Sequence, residues 1–140
     1  MRVRDVMSKD IHIARPGDTI QEVAQKMASG DFGFCPVADG DQLIGAVTDR
    51  DIVVRAVAQG AASTAPVVEY ATRDVVTVRE DEELREVLDR MGSQQIRRLV
   101  VTDRDGKICG VVSLGDLADT VKEKHAGETL EDISRPNGAN

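Results

Sequence analysis

The chain has 140 residues, 41% of them hydrophobic, and the apolar content is aliphatic, with two Phe, one Tyr and no Trp. That length suits one compact domain or two small halves. The formal net charge of −7 repels a phosphate backbone and excludes a nucleic-acid partner without a local basic patch, no apolar run approaches the roughly 20 residues that span a bilayer, and Met1-Arg2-Val3-Arg4-Asp5 lacks the apolar core of a signal peptide.

The expected setting is therefore the cytoplasm, with no membrane partner, where Cys35 and Cys109 are reduced thiols. In chain order, residues 3–8 read as a short leading segment with a helical turn. Residues 11–14 read as a strand, stopped by Pro16-Gly17. Asp18 is placed to cap a helix, with Gln21 completing a capping box. Ile20, Val23, Ala24 and Met27 follow at helical spacing, and Ser29-Gly30-Asp31 end the helix. Residues 34–38 and 43–47 read as a hairpin around Asp39-Gly40-Asp41. Thr48 opens a further helix with Ile52, Val53, Ala56 and Val57 inward. Residues 59–66, rich in Ala and Ser, connect to a second half.

That half repeats the order. Residues 75–78 form a strand. Residues 82–92 form a helix with Leu84, Val87, Leu88 and Met91 inward. Residues 99–102 and 107–112 form a hairpin around Asp105-Gly106. Ser113 opens a last helix carrying Leu117, Ala118 and Val121, and residues 125–140 read as a mobile tail. A shift of 64 residues lays Ile11 over Val75, Met27 over Met91 and Val37 over Val101. One extra residue in the second turn makes the shift 65, and Gly45, Thr48 and Asp51 then match Gly110, Ser113 and Asp116. A gap this small, placed in a turn, is what duplication of a structural unit predicts. The fold class expected is α+β: two βαββα repeats, residues 1–62 and 63–124, packed through their sheets, because halves of about 60 residues are marginal alone.

Two stretches carry a family resemblance. They are Pro36-Val37-Ala38-Asp39 with Gly45-Ala46-Val47-Thr48-Asp49-Arg50-Asp51-Ile52, and Arg97-Arg98-Leu99-Val100-Val101-Thr102-Asp103 with Gly110-Val111-Val112-Ser113-Leu114-Gly115-Asp116-Leu117. The chain resembles a tandem pair of cystathionine β-synthase (CBS) domains, a Bateman module, from about Val3 to Val121. It departs from the pattern at Val100, where the family usually has Pro. The resemblance implies a non-catalytic regulatory module with no prosthetic group. Such modules bind adenosine-containing ligands (AMP, ATP, NAD or S-adenosylmethionine) in clefts between the repeats, often pair into homodimers, and signal to a separate target protein.

A carboxylate can accept both hydroxyls of a ribose, which suits Asp51 and Asp116. Thr48 and Ser113 add a hydroxyl beside backbone N–H groups expected to be free at a helix start, a seat for phosphate. Carried over by position, one cleft uses Ala46, Thr48 and Asp51 with Val76, Ile96, Arg97 and Arg98. The other uses Val111, Ser113 and Asp116 with His12, Phe32 and Gly33. Only the first has guanidinium groups suited to phosphate, so it is expected to be the better nucleotide site. The second is expected to be empty or to hold a less charged part of a ligand.

Plainer readings stand beside these. Thr48-x-x-Asp51 and Ser113-x-x-Asp116 are capping boxes that need no ligand. Arg97-Arg98 also reads as a solvated pair at a strand start. Gly45 and Gly110 read as sites of close backbone approach. Cys35 and Cys109 alternate with aliphatic residues and read as buried inert thiols. A metal or redox switch using them with His12 or His125 lacks C-x-x-C or H-x-x-x-H spacing. No nucleophile–base setting, Walker or Rossmann loop or metal triad suggests an enzyme. The rival to a ligand sensor is a ligand-independent dimeric scaffold.

Overall fold

The structure, a computed structural model, describes residues 1–115 and 117. The expected tail at 125–140, and the last helix apart from Leu114, Gly115 and the buried Leu117, lie outside the described residues. Helix and strand are mixed in the expected order. Helix α1 spans Ile20–Gly30, strands β1 and β2 span Phe34–Asp39 and Gln42–Thr48, β3 is Thr77–Arg79, α2 is Leu84–Gln94, and β4 and β5 are Arg98–Thr102 and Ile108–Ser113. The α+β, twice-repeated architecture read from the sequence is the one observed.

The compact units do not follow the order of the repeats in the chain. One unit holds Asp10–Val76 with Gly106–Ile108; the other holds Met1–Lys9, Thr77–Asp105 and the described residues from Cys109. The leading segment of each repeat therefore belongs with the strands of the other. Both leading segments make one set of contacts, shifted by the length of the repeat. In one unit Val3 N–H donates to Glu82 O (3.0 Å) and Leu84 N–H donates to Met1 O (2.9 Å). In the other, Val67 N–H donates to Asp18 O (2.7 Å) and Ile20 N–H donates to Ala65 O (3.0 Å). Helix starts leave N–H groups without intrahelical partners, and these carbonyls satisfy the first of them in α1 and α2. Val3 and Val67 are fully buried at their centres.

In the first unit β1 and β2 form an antiparallel hairpin, from Phe34 opposite Thr48 to Asp39 opposite Gln42, with an irregularity between Val37 and Ala38. Gly40 takes the positive φ (60°) that its tight turn requires. The core gathers Ile20, Val23 and Met27 of α1 with Cys35, Val37, Val47, Ile52, Ala56 and Val67. The second unit's sheet runs β3-β4-β5, with β3 parallel to β4 and Val78 opposite Val101. Leu84, Val87 and Met91 of α2 are buried, as are Leu99, Val100 and Val101.

Several local expectations are corrected. Residues 11–14 do not form a strand; they make a single parallel bridge, Ala14 to Val37. The aligned segment forms β3 because Glu80 N–H extends its ladder to Thr102 O at 2.9 Å. Pro16 stands in the matching place and has no N–H to give. Thr19, not Asp18, caps α1, accepting Glu22 N–H on its Oγ1 at 3.1 Å. Asp18 instead accepts Arg15 N–H at 2.9 Å, as Glu82 accepts Arg79 N–H at 2.7 Å. After Thr48 the helix widens to a π-helical stretch, Asp51–Ala56. That change of pitch keeps Ile52 and Ala56 inside but turns Val53 and Val57 out, at 59% and 61% exposure, with Val54 at 44%.

Candidate functional site

In the first repeat the strand-to-helix junction is closed by its own backbone and by Asp51. Thr48 N–H donates to Asp51 Oδ2 (2.9 Å) and Asp51 N–H donates to Thr48 Oγ1 (3.1 Å), a reciprocal capping box. Asp49 N–H donates to Gly33 O (3.0 Å), and Arg50 N–H donates to Asp49 Oδ1 (2.8 Å). Each amide from residue 48 to 51 thus has a partner, and the free donors expected at this helix start are absent. Arg55 leans back, its guanidinium 4.0 Å from Asp51 Oδ1 and donating to Tyr70 O at 3.0 Å.

Gly33 is the second fixed point of this junction. A Cβ built on it would lie 2.9 Å from Asp49 Oδ2 and 3.1 Å from Cγ, so the Asp49 carboxylate lies directly against the glycine. Just before it in the chain, Phe32 stacks on His12 with ring centroids 4.2 Å apart and planes 4° from parallel. The stack is closed below by Gly30, where a Cβ would meet the Phe32 ring at 2.8 Å. His12, Phe32 and Gly33 are half-buried. His12 Nε2 also lies 3.9 Å from Asp10 Oδ1.

The second repeat has one corresponding hook: Leu114 N–H donates to Arg97 O at 2.8 Å. Ser113 is half-buried at the end of β5, Ile96 is half-buried, and Arg97 and Arg98 are exposed. Val111 faces the leading segment, exchanging N–H···O bonds with Ser8 (2.9 and 3.1 Å), as Ala46 does with Thr72 (2.8 and 3.0 Å). Asp116 lies outside the described residues. Val76 is half-buried immediately before β3.

Within a unit, then, proximity follows the repeat. Gly33 is hooked to Asp49, next in the chain to Thr48, and Arg97 is hooked to Leu114, next in the chain to Ser113. The expected close backbone approach at the two glycines is present. A Cβ at Gly45 would be 2.5 Å from Thr72 O, and one at Gly110 would be 2.6 Å from Met7 Sδ and 2.9 Å from Ser8 O. Sequence reasoning missed Asp49. Its signal was present, since Asp49 aligns with Leu114 and Gly33 with Arg97, so both members of one contact change charge between repeats.

The cysteines split. Cys35 is buried and donates its thiol to His12 O at 3.2 Å. Cys109 is only partly buried and lies 3.8 Å from Glu80 Oε2. Burial pushes the Cys35 thiol up to about 11. Burial, then the carboxylates of Glu80 and Asp103, push Cys109 up to about 11 as well. Thiolates are the nucleophiles, so both should resist iodoacetamide at pH 8 in the native protein and react readily in denaturant, as counted by mass spectrometry. A native Cys109 that alkylates at the denatured rate would contradict this. Raised thiol pKa values also mean that the unfolded chain loses these protons first. The stability they contribute is whole below the unfolded value of 9.0 and is lost as the pH climbs toward 11. Among the described residues no group of three or more His, Cys, Asp or Glu side chains is placed to hold a metal ion. No described helix is long and apolar enough to cross a membrane.

Comparison with known proteins divides the chain into the two sequence repeats. The CBS domain profile matches residues 3–57 and again 67–123. The Bacillus subtilis protein YlbB is 38% identical over 136 residues, covering 95% of this chain and 91% of its own. Among solved structures, the CBS domain pair of protein MJ0100, in complex with 5′-methylthioadenosine and S-adenosyl-L-methionine, superposes with a TM-score of 0.77 at 28% identity, covering 89% of this chain and 98% of that one. The CBS domain protein PAE2072 from Pyrobaculum aerophilum, complexed with AMP, gives a TM-score of 0.74 at 26% identity over 84% of this chain and 90% of that one.

Proposed function

The chain belongs to the CBS domain family as a tandem pair of repeats, and from that premise we propose that it is a non-catalytic regulatory module. It binds adenosine-containing ligands of the AMP, ATP, NAD or S-adenosylmethionine class at its strand-to-helix junctions and signals the bound state to a separate cytoplasmic protein. The observation that carries this reading is a strand-to-helix junction hooked to a strand start by one backbone hydrogen bond in each repeat, Asp49 N–H to Gly33 O and Leu114 N–H to Arg97 O, the first of them closed by Thr48 with Asp51. The ligands in the MJ0100 and PAE2072 complexes support the same class. Asp51 and Asp116 hold ribose hydroxyls. Arg97 and Arg98 receive phosphate; the sequence alone pairs them with Thr48 and Asp51, and we assign them instead to the second junction, where Arg97 O accepts Leu114 N–H. Ala46, Val76, Ile96, Val111, His12, Phe32 and Gly33 supply apolar or flat surface for the base. Exposed Val53, Val54 and Val57 favour a homodimer that covers them.

A ligand that binds only the folded chain must raise its melting temperature. At a concentration near 100 times Kd the gain is about 2.7 kcal/mol, or roughly 8 °C for a chain of this size. Thermal melts with millimolar AMP, ATP, NAD and S-adenosylmethionine are expected to show it for at least one of them. No shift with any adenosine compound would leave the ligand-independent scaffold as the better account.

A further inference from the structure

We infer that Asp49 is a specificity residue that bars phosphate from the first repeat's junction, so that this junction takes a neutral or cationic adenosine-type nucleoside while the second takes the phosphorylated ligand. The inference rests on the binding reading above and sharpens it.

Three features of the first junction argue together. The amides of residues 48–51 are committed to Asp51, Gly33, Asp49 and Thr48, so a phosphate finds no backbone donor there. The Asp49 carboxylate lies against Gly33, with both oxygens within 3.1 Å of where a Cβ would be, and so faces the surface that a ligand at this strand start would touch. The Arg55 guanidinium is shared between Asp51 and Tyr70 O, and Arg50, next in the chain to Asp49, is exposed. Two carboxylates can accept from hydroxyl or ammonium donors and repel an anion.

The second junction changes the residues at the hook. Arg97 replaces Gly33, Leu114 replaces Asp49 and Gly115 replaces Arg50, while the hooking hydrogen bond is kept, Leu114 N–H to Arg97 O. Among the described residues the Arg97 guanidinium has no hydrogen bond or ion pair, and it is exposed. One backbone hook thus carries a carboxylate in the first copy, Asp49 against Gly33, and a guanidinium in the second, Arg97 beside Leu114. A ligand carrying phosphate is steered to one copy and a ligand lacking it is tolerated at the other.

Calorimetric titration with adenosine and with AMP tests this. Asp116→Asn, or Ser113→Ala if the first variant folds poorly, silences the second junction. In that background adenosine is expected to bind at least tenfold tighter than AMP. Adding Asp49→Asn, which keeps an oxygen to accept Arg50 N–H, should tighten AMP about tenfold and leave adenosine within twofold. The AMP penalty should also shrink as salt is raised from 20 to 500 mM, which a merely structural role for Asp49 would not produce. Equal affinity for both ligands before Asp49 is changed overturns the inference, as does an equal response of both to Asp49→Asn, or loss of adenosine binding once the second junction is silenced. If no adenosine compound binds the unmodified protein, the binding reading itself falls and takes this inference with it.

Discussion

Deleting residues 1–8 is expected to unravel the second repeat, not the first. Those residues supply a fully buried Val3 and the donors or acceptors facing Glu80, Glu82, Leu84 and Val111, all in the unit that contains α2 and β5. Burying one valine is worth about 1.5–3 kcal/mol and each exchanged backbone hydrogen bond about 1 kcal/mol. The loss should be on the order of 5 kcal/mol, which lowers the melting midpoint by about 15 °C in a chain of this length. Native-state hydrogen exchange gives the address of the damage. The amides of Leu84 and Val111 should lose protection while those of β1 and β2 keep theirs. Selective loss of protection in α1 or in the β1–β2 hairpin would show that the assignment of the leading segments is wrong.

Gly45→Ala should be the most damaging glycine-to-alanine change among the described residues. The new Cβ would sit 2.5 Å from Thr72 O. That oxygen accepts Ala46 N–H at 3.0 Å, and Thr72 N–H donates to Ala46 O at 2.8 Å, so relief requires opening the bridge itself. Overpacking against backbone costs at the upper end of the usual range, about 3 kcal/mol. Gly110→Ala should cost less, about 1–2 kcal/mol, because its nearest conflict is with Met7 Sδ on a flexible side chain, although Ser8 O stands at 2.9 Å. Gly92→Ala is the control. It lies within α2 with nothing within 4 Å of its Cβ, and replacing a helical glycine should stabilise by up to about 1 kcal/mol. Urea midpoints of the three variants test the ranking. A neutral Gly45→Ala would mean that the approach to Thr72 is looser than described.

Much of this architecture was legible because it is local. The spacing of Ile20, Val23 and Met27, and of Leu84, Val87 and Met91, gives both helices and their buried faces. Asp39-Gly40-Asp41 and Asp105-Gly106 place both hairpins. The duplication gives the order. The partners of residues 3–8 and 67–72 were not legible, because a periodic pattern is the same whether a leading segment adds to its own strands or to those of the other copy. Residues 11–14 failed as a strand for want of one N–H at Pro16. The occupied amides at residues 48–51 escaped notice for a related reason. Thr48 and Asp51 announce a capping box in sequence, but the hook from Asp49 to Gly33 joins residues far apart in the chain. The valines of Asp51–Ala56 turn outward through a change of helical pitch that an ideal period cannot register.

The traded leading segments also fix an order of events during synthesis. Residues 3–8 leave the ribosome first, yet their hydrogen-bonding partner Val111 is among the last described residues to be made. The first repeat's hairpin waits only for residues 67–72 and can close while the chain is still growing. Contacts this distant in sequence slow folding. Residues 3–8 must stay unclaimed until residues 80–111 have been made, with Val3 exposed meanwhile to any chaperone that reads short apolar stretches.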